Sequence, residues 1–231
     1  MKTLGILGGM GPEATADLFR KIIELTPAKK DQDHIRIIID NYPQIPDRTA
    51  NILGDGESPV PYMIKSATLL EKAGAQAIIM PCNTAHYFLP VIKSSINVPF
   101  ISIIDSAVAE IKRITPNAKT VLPISTTGTK STKLYENALA VAGYTVPEIP
   151  ANIQEEIMHC IYEGVKKGKT TEVKDRFQKV LDDIKKDVKP DAMIAACTEI
   201  PILMPYVHTD ISVADATLAL AKAGVAFAME Q

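Results

Sequence analysis

The sequence predicts an α/β protein built around parallel sheets. Short apolar runs typical of buried strands alternate with longer segments whose apolar residues recur at a spacing near 3.6. Repetition of strand, helix and strand favours right-handed crossover units and a parallel sheet. A second observation is that segments in the first half of the 231-residue chain are echoed in the second half. Together the two patterns predict two pseudo-symmetric domains, each a short parallel sheet flanked by helices.

The predicted strands and helices follow from the short apolar runs and from the apolar spacing near 3.6 residues. Strands are expected wherever a short apolar run lies between longer helical patterns. In chain order these runs are Leu4–Leu7, Ile35–Asp40, Ala77–Met80, Phe100–Ile104, Thr120–Ile124, Thr145–Glu148, Met193–Ala196 and Ile211–Ala214. Helical spacing is clearest over Ala14–Leu25, Pro61–Ala73 and Val173–Ile184.

The internal echoes define the domain organisation. Three pairs of segments correspond, namely Leu4–Gly11 with Val121–Gly128, Ala77–Thr84 with Ala192–Glu199, and Ile101–Asp105 with Ile211–Asp215. Their offsets are 117, 115 and 110 residues, and they occur in the same order in both halves. We therefore predict an N-terminal domain of residues 1–104 plus 215–231 and a C-terminal domain of residues 105–214.

The composition excludes several functional classes. With 25 Lys and Arg against 27 Asp and Glu, the net charge of −2 rules out a polybasic surface for nucleic acid as the main function. No apolar run approaches the roughly 18 residues of a membrane span, and the N-terminal run is interrupted by glycine too early for a signal peptide. Three cysteines are too few for a disulfide framework, so a reducing cytoplasm is the expected compartment.

The glycine-rich loop after the first strand matches no nucleotide-binding motif. In parallel sheets, ligands bind beyond the carboxyl ends of the strands, which is where Gly8–Pro12 is predicted to lie. Its glycines do not fit G-x-G-x-x-G, and Asp40 alone is a weak sign of ribose binding. The loop is therefore either a ligand contact or a tight turn, and no nucleotide cofactor is expected.

Two of the three cysteines are predicted to be reactive. Cys82 and Cys197 each follow an apolar strand and precede a helical segment, where backbone N–H groups lower a thiol pKa. Cys160 lies inside a helical run and is expected to be a packing residue. Cys82 and His86 have a spacing suited to zinc, but no motif supplies the other ligands, so no metal is expected.

A matched pair of thiols suits racemisation of an amino acid. One thiolate removes the Cα proton from one face, and the opposite thiol returns a proton to the other. Without a cofactor to accept electrons, the carbanion needs preorganised N–H and hydroxyl donors. Candidate donors are Asn83, Thr84, Ser125, Thr126, Thr127, Thr129 and Thr198.

Several motifs in order resemble one family. These are GILGGMGPEAT, NYPQIPDRT, MPCNTAH, ISTTGT, IYEGVKKG and CTEIP, and together they are similar to the aspartate/glutamate racemase family, in particular its aspartate racemase branch. The resemblance extends from Met1 to about Asp215. It implies a racemase that needs no cofactor, an active site in a cleft between two α/β domains, an acidic amino acid as substrate, and a homodimer.

The resemblance also assigns roles to residues. Cys82 and Cys197 would be the two acid/base thiols, and Arg48 and Lys166 would hold the side-chain carboxylate of the substrate. The loop that holds the α-carboxylate matches Asn83, Thr84 and Ala85, and the remaining predicted substrate contacts are Met10, Thr126, Thr127 and Thr198. Glutamate racemases carry D-S-G where this chain has Gly9-Met10-Gly11 and C-T-H where it has Cys197-Thr198-Glu199, which favours aspartate. Ala196 departs from the glycine that more often precedes the second cysteine.

Simpler roles compete with these assignments. Arg48 can pair with the adjacent Asp47, and Lys166, followed by Lys167, can be a solvated surface cation. His86 and Glu199 are second-choice candidates for orienting the thiols or tuning their pKa values. The simpler roles for these two residues are packing on a helix face and helix capping.

Other activities remain open on the sequence alone. The alternatives are racemisation of glutamate or of acidic amino acids in general, and the related activities of a maleate isomerase, a hydantoin racemase or an arylmalonate decarboxylase. The two cations disfavour hydantoins. A protein of another class, one that binds small anions without catalysis, would keep the same site.

Overall fold

The computed structural model describes residues 1–230, which divide into two compact units. The first unit comprises residues 1–106 together with the chain from Thr217 onward, and the second comprises residues 107–216. The helix that connects them in sequence begins at Ile103 and ends at Ile114. Among residues 1–230, no helix combines the length and the apolarity that crossing a bilayer requires.

The first unit contains a four-stranded parallel sheet in the order β2-β1-β3-β4. Its strands are β1 (Leu4–Gly8), β2 (Ile37–Asn41), β3 (Ala77–Ile79) and β4 (Phe100–Ile101). Its helices are α1 (Pro12–Leu25), α2 (Arg48–Leu53), α3 (Val60–Lys72), α4 (Leu89–Lys93), the start of α5 (Ile103–Ile114) and α11 (Ala216–Met229), with 3₁₀ turns at Asp31–Asp33 and Thr84–Phe88. All residues of β1 and β3 are buried, as expected for central strands of a parallel sheet covered by helices.

The second unit contains a three-stranded parallel sheet in the order β5-β6-β7. Its strands are β5 (Val121–Ile124), β6 (Ala192–Ala195) and β7 (Ser212–Asp215). Its helices are α6 (Thr127–Ser131), α7 (Leu134–Val141), α8 (Ala151–His159), α9 (Lys174–Asp183) and α10 (Ile200–Leu203), with π-helical turns at Cys160–Gly164 and Ile184–Val188 and 3₁₀ turns at Val165–Lys167, Thr170–Glu172 and Met204–Tyr206.

The predicted fold class is confirmed, because both units are parallel sheets flanked by helices. The strand order β1-β3-β4 of the first unit is repeated as β5-β6-β7 in the second. The register agrees as well, since Leu4 pairs with Ala77 and Val121 pairs with Ala192. Two of the three echoes in the sequence therefore correspond residue by residue in the sheets.

The third echo is displaced by three residues. Phe100 pairs with Ile78, and Val213 pairs with Met193, which is the counterpart of Ile78. Phe100 and Val213 are thus equivalent at a separation of 113 residues, not 110. In addition, the predicted strand Phe100–Ile104 is only two residues long, because α5 begins at Ile103.

The predicted strand Thr145–Glu148 is wrong. Only Thr145 pairs with a neighbour, as an isolated parallel bridge to Thr120. The Thr145 N–H donates to the Lys119 carbonyl at 2.8 Å, and the Val121 N–H donates to the Thr145 carbonyl at 3.0 Å. Pro147 follows and has no N–H with which to extend the ladder, so the segment continues as a loop. Within residues 1–230, the second sheet therefore has no counterpart of β2.

Candidate active site

The two cysteines predicted to be reactive occupy equivalent positions in the two sheets. Cys82 lies five residues after Ala77 in β3, and Cys197 lies five residues after Ala192 in β6. Both follow the carboxyl end of a central strand, where parallel sheets bind ligands. Both are free thiols, and each residue is 6% exposed. The equivalence that the sequence echo predicted is thus present in the strands that carry the thiols.

The loop after β1 is held in shape by a threonine of the following helix. The hydroxyl of Thr15 accepts from the Gly9 N–H at 2.9 Å and donates to the Gly11 carbonyl at 3.0 Å. Gly9 has a φ of +91°, and a side chain there would lie 2.4 Å from the backbone of Tyr42. Glycine is therefore required at this position both by conformation and by space.

Arg48 is buried and directed at backbone carbonyls. Its Nη1 donates to the carbonyls of Ile45 and Pro46 at 3.2 and 3.0 Å, and its Nη2 donates to the Met10 carbonyl at 3.4 Å. Asp47, the rival partner, accepts from the Ala50 N–H at 2.8 Å and caps α2. The guanidinium thus connects the Met10 loop to the loop that precedes α2, and the predicted contacts Met10 and Arg48 lie together.

The segment after Cys82 forms a buried 3₁₀ turn. Asn83, Thr84 and Ala85 are all at most 6% exposed, and the turn begins at Thr84. Cys82 and Ala85 belong to the same apolar cluster as Met10. Met10, Cys82 and Ala85 thus share one buried cluster, and Asn83 and Thr84 follow the cysteine directly in the chain.

His86 fixes the backbone of the Cys82 loop as a neutral imidazole. Its Nε2 accepts from the Ile103 N–H at 3.1 Å, so this nitrogen carries no proton. Nδ1 then carries the proton and donates to the Cys82 carbonyl at 2.8 Å. Burial lowers the pKa of His86 to about 4, against 6.5 for a free histidine. His86 therefore orients the loop and supplies no charge to the thiol near neutral pH.

In the second unit, the loop after β5 is ordered by its own hydroxyls. Thr126 is the N-cap of α6, and its hydroxyl accepts from the Thr129 N–H at 3.2 Å. The N–H of Thr127 donates to the sulfur of Met158 at 3.2 Å, and Gln154 donates to the Ser125 carbonyl at 2.9 Å. Sequence reasoning found the hydroxyls but missed Met158 and Gln154, which belong to a different helix.

Cys197 lies at one end of a buried chain of polar side chains. Its Sγ donates to Oε2 of Glu199 at 3.0 Å, and Oε1 of the same carboxylate pairs with Nζ of Lys166 at 2.8 Å. The Thr198 hydroxyl also donates to Oε2, at 3.3 Å. Glu199 is 3% exposed, whereas the side chain of Lys166 is 21% exposed and lies 5.6 Å from the centre of the Tyr162 ring.

These contacts test the two simpler roles considered above, namely helix capping by Glu199 and surface solvation of Lys166. Glu199 precedes α10 but makes no side-chain capping hydrogen bond, so helix capping does not account for it. Lys166 is not a solvated cation, since its ammonium group pairs with a buried carboxylate. By contrast, the adjacent Lys167 pairs with the exposed Glu163. Glu199 was only a second-choice residue in the sequence analysis, because its contact with Cys197 is visible only once the side chains are placed.

The same contacts set the ionisation of the second thiol. Burial, and then the negative charge of Glu199, raise the pKa of Cys197 well above that of a free cysteine. Burial also opposes the ionised form of Glu199, but the Lys166 ammonium and the hydrogen bonds that it and Cys197 donate keep the pKa of Glu199 below its usual value. Cys197 therefore rests as a thiol and Glu199 as a carboxylate.

Cys160 has the packing role that its helical position predicted. It is fully buried in the apolar cluster of the second unit. Burial raises its pKa to about 11. Within residues 1–230, no group of three or more His, Cys, Asp and Glu side chains is placed to hold a metal ion.

Comparison with known proteins identifies similar chains. The sequence model of the Asp/Glu/Hydantoin racemase family matches residues 7–224. A Picrophilus torridus aspartate racemase structure is 32% identical, with a TM-score of 0.84 over 100% of this chain and 96% of that one. An aspartate racemase homologue from Pyrococcus horikoshii OT3 is 26% identical, with a TM-score of 0.77 over the whole of both chains. The broad specificity amino-acid racemase of Bacillus subtilis is 27% identical over 229 residues, which are 96% of each chain.

Proposed function

The chain belongs to the Asp/Glu/hydantoin racemase family and is thus an isomerase, and we propose that it interconverts L- and D-aspartate without a cofactor. The observation that carries this proposal is the equivalent placement of Cys82 and Cys197 after the central strands of two sheets with the same strand order. Packing alone does not account for a thiol at the same strand end in both units, next to loops of hydrogen-bond donors.

The reaction needs one thiolate and one thiol. In one direction the thiolate removes the proton from Cα, and the other cysteine donates its proton to the opposite face. The roles exchange in the reverse direction. Between the two steps the substrate carries negative charge on its α-carboxylate, and donors in the Asn83–Thr84 segment and the Thr126–Thr127 loop would stabilise that charge.

Two cations favour a substrate with a second carboxylate. The Arg48 guanidinium is a planar fork suited to a carboxylate, and the Lys166 ammonium is a point charge. We assign both to the side-chain carboxylate of aspartate. The backbone carbonyls that Arg48 contacts hold its guanidinium in place, and the partial exposure of Lys166 leaves its ammonium within reach of an incoming anion.

A racemase of broader specificity is the second candidate. The relative from Bacillus subtilis is described as having broad specificity, and it matches nearly the full length of this chain. Aspartate is favoured by Gly9-Met10-Gly11 in the first loop and by Glu199 after the second cysteine, which differ from the glutamate racemase motifs. The 32% identity to the Picrophilus torridus enzyme supports the same choice.

Racemisation measured by chiral chromatography tests the substrate. The purified protein is incubated separately with both enantiomers of aspartate, glutamate and alanine, without added cofactor. We expect conversion of L- and D-aspartate at the highest kcat/KM, glutamate below it, and alanine lowest. Equal rates for all three amino acids would establish broad specificity. No conversion of any amino acid would favour a maleate isomerase, an arylmalonate decarboxylase or a protein that binds anions without catalysis.

The assembly and compartment are part of the same proposal. We assign a homodimer and a cytoplasmic location, in which the free thiols of Cys82 and Cys197 stay reduced. Light scattering during gel filtration measures the mass in solution. A mass twice the 25.1 kDa of the chain supports the dimer, and a mass equal to that of one chain contradicts it.

A further inference from the structure

Glu199 is a buried carboxylate whose partners are the Cys197 thiol, the Thr198 hydroxyl and the Lys166 ammonium. One oxygen accepts from the Cys197 thiol at 3.0 Å, and the other pairs with the Lys166 ammonium at 2.8 Å. A buried carboxylate is stable only while cations or hydrogen bonds compensate its charge. If the ammonium leaves, only the Cys197 and Thr198 hydrogen bonds compensate the charge, so the pKa of Glu199 rises, and the thiol that already donates to the carboxylate is the nearest source of a proton.

The three groups differ in their access to solvent. Cys197 and Glu199 are 6% and 3% exposed, but the side chain of Lys166 is 21% exposed. An anion arriving from solvent therefore meets the ammonium before it meets the thiol. Lys166 is also carried by a short 3₁₀ turn, Val165–Lys167, which Gly168 follows, and its ammonium is held on a flexible four-carbon stem.

We propose that Lys166 controls a proton transfer between Cys197 and Glu199 and that the side-chain carboxylate of the substrate triggers it. This inference rests on the proposed function. When the substrate takes the ammonium from Glu199, the S–H bond of Cys197 breaks and an O–H bond forms on Oε2 of Glu199. The charge of the pair is unchanged, since the carboxylate becomes neutral and the thiol becomes a thiolate. Glu199 is thus a positioning residue that acts through Cys197.

The proposal explains how the site distinguishes dicarboxylates from other amino acids. An amino acid without a second carboxylate leaves Lys166 on Glu199, and Cys197 stays a thiol that cannot remove the Cα proton. Aspartate engages Lys166 and thereby produces the thiolate that removes the Cα proton in one direction. In the other direction Cys197 donates its proton to Cα, and any proton held on Glu199 first returns to the sulfur. The site then discriminates against amino acids without a second carboxylate in the chemical step as well as in binding.

Alkylation by iodoacetamide, an uncharged reagent, tests the proton transfer directly. Labelling of Cys197 is followed near neutral pH by peptide mass spectrometry in the full-length protein without any amino acid. Lys166→Met removes the ammonium as the substrate is proposed to do. We expect Cys197 to react about tenfold faster, the change in thiolate population that one pKa unit represents. Simple loss of a cation beside a thiolate predicts the opposite, namely slower alkylation.

A double variant separates proton transfer from easier access. Lys166→Met combined with Glu199→Gln opens the site equally but has no carboxylate to accept the proton, so the gain in rate should disappear. Lys167→Met is the matched control, because that lysine pairs with Glu163 at the surface, and its rate should equal that of the unmodified protein. Cys160 reports folding, since its labelling rises only if the core opens, and Lys166→Gln is then the variant to use.

Two results would overturn the proton transfer. The first is a Cys197 rate that is unchanged or lower in both Lys166 variants, and the second is a double variant that reacts as fast as Lys166→Met. The trigger is tested by Cα deuterium exchange in D₂O, where Lys166→Met should exchange alanine faster and aspartate more slowly than the unmodified protein. Faster alkylation without faster alanine exchange would overturn the trigger. Absence of exchange with every amino acid would contradict the proposed function, while the alkylation rates still decide the proton transfer.

Discussion

The Cys82 loop and the Cys197 loop begin at equivalent strand ends but differ in their electrostatic surroundings. Beside Cys82, the buried titratable group is His86, which is neutral and donates to the backbone carbonyl of the cysteine. Beside Cys197, it is Glu199, which is ionised and accepts directly from the thiol. The backbone is thus repeated in the two units, whereas the charges near the sulfur atoms are not.

This difference indicates what the repeat of the fold does and does not require. Repeated strands and loops deliver a thiol to the same place in each sheet. The protonation of each thiol depends on side chains that were not copied, so one loop is held by a neutral hydrogen bond and the other by an ion pair with Lys166. In the mechanism that we propose, the pKa values of the two thiols can therefore be tuned independently.

The largest expected effect comes from replacing either thiol. Cys82→Ser and Cys197→Ser should each lower kcat for aspartate racemisation by about 10²–10⁴-fold, the usual contribution of a positioned acid or base. Serine keeps the shape and a hydroxyl, but it is a far weaker acid than a thiol. The measurement is initial rate in both directions, with folding checked by circular dichroism.

Cys160→Ala provides the control for these two variants. Cys160 is buried in the core of the second unit, so the variant loses some stability but keeps its activity. Normal turnover by Cys82→Ser or Cys197→Ser would show that the cysteine concerned is a packing residue like Cys160.

An intermediate effect concerns His86 and the stability of the first unit. The imidazole titrates near pH 4 in the folded chain and near 6.5 when unfolded. As the pH falls through this window, the unfolded chain takes up the proton first, so stability present above pH 6.5 is lost progressively down to pH 4. The loss amounts to about 3 kcal/mol.

His86→Asn removes the titration while keeping a side-chain N–H for the Cys82 carbonyl. Urea unfolding at several pH values should show a smaller drop in the free energy of unfolding between pH 6.5 and 4 than for the unmodified chain. Equal drops in the two proteins would mean that His86 is not held neutral, and the contrast between the two loops would weaken.

The smallest expected effects compare the loops after β1 and β5. Thr15→Ala removes the hydroxyl that bridges Gly9 and Gly11, and Thr126→Ala removes the N-cap of α6. Each should lower the free energy of unfolding by about 1 kcal/mol. Thr171→Ala, in an exposed turn, is the control and should change it little. A Thr126→Ala variant as stable as the control would mean that this loop is ordered by Gln154 and Met158 instead.

Much of the fold could be predicted because its strands and helices follow from local patterns of apolar residues. The apolar runs predict β1, β3, β5 and β6. The internal sequence similarity also predicts that β1 corresponds to β5 and β3 to β6. The prediction was wrong at Thr145–Glu148, where Pro147 ends the pairing after one bridge. The strand propensity of a segment does not take into account that one proline, which has no N–H, ends the hydrogen-bond ladder. The π-helical turns Cys160–Gly164 and Ile184–Val188 also have no signal in apolar spacing.

For the candidate site, the sequence supports predictions of residues but not of the contacts between them. Cys82, Cys197, Arg48 and Lys166 were all proposed from motifs, and their roles stay predictions. That Lys166 pairs with Glu199 could not be predicted in the same way, because the two are 33 residues apart and a glutamate before a helix equally suits capping. Which of two roles a carboxylate adopts depends on its rotamer and burial, and neither is encoded in spacing.

The position of solvent deuterium tests the two-thiol mechanism most directly. L-aspartate is incubated with the protein in D₂O, and both enantiomers are isolated at low conversion for measurement of deuterium at Cα. If one cysteine removes the proton and the other donates, D-aspartate carries deuterium while the remaining L-aspartate does not. Deuterium in both enantiomers from the start would indicate one base acting on both faces and would contradict the account.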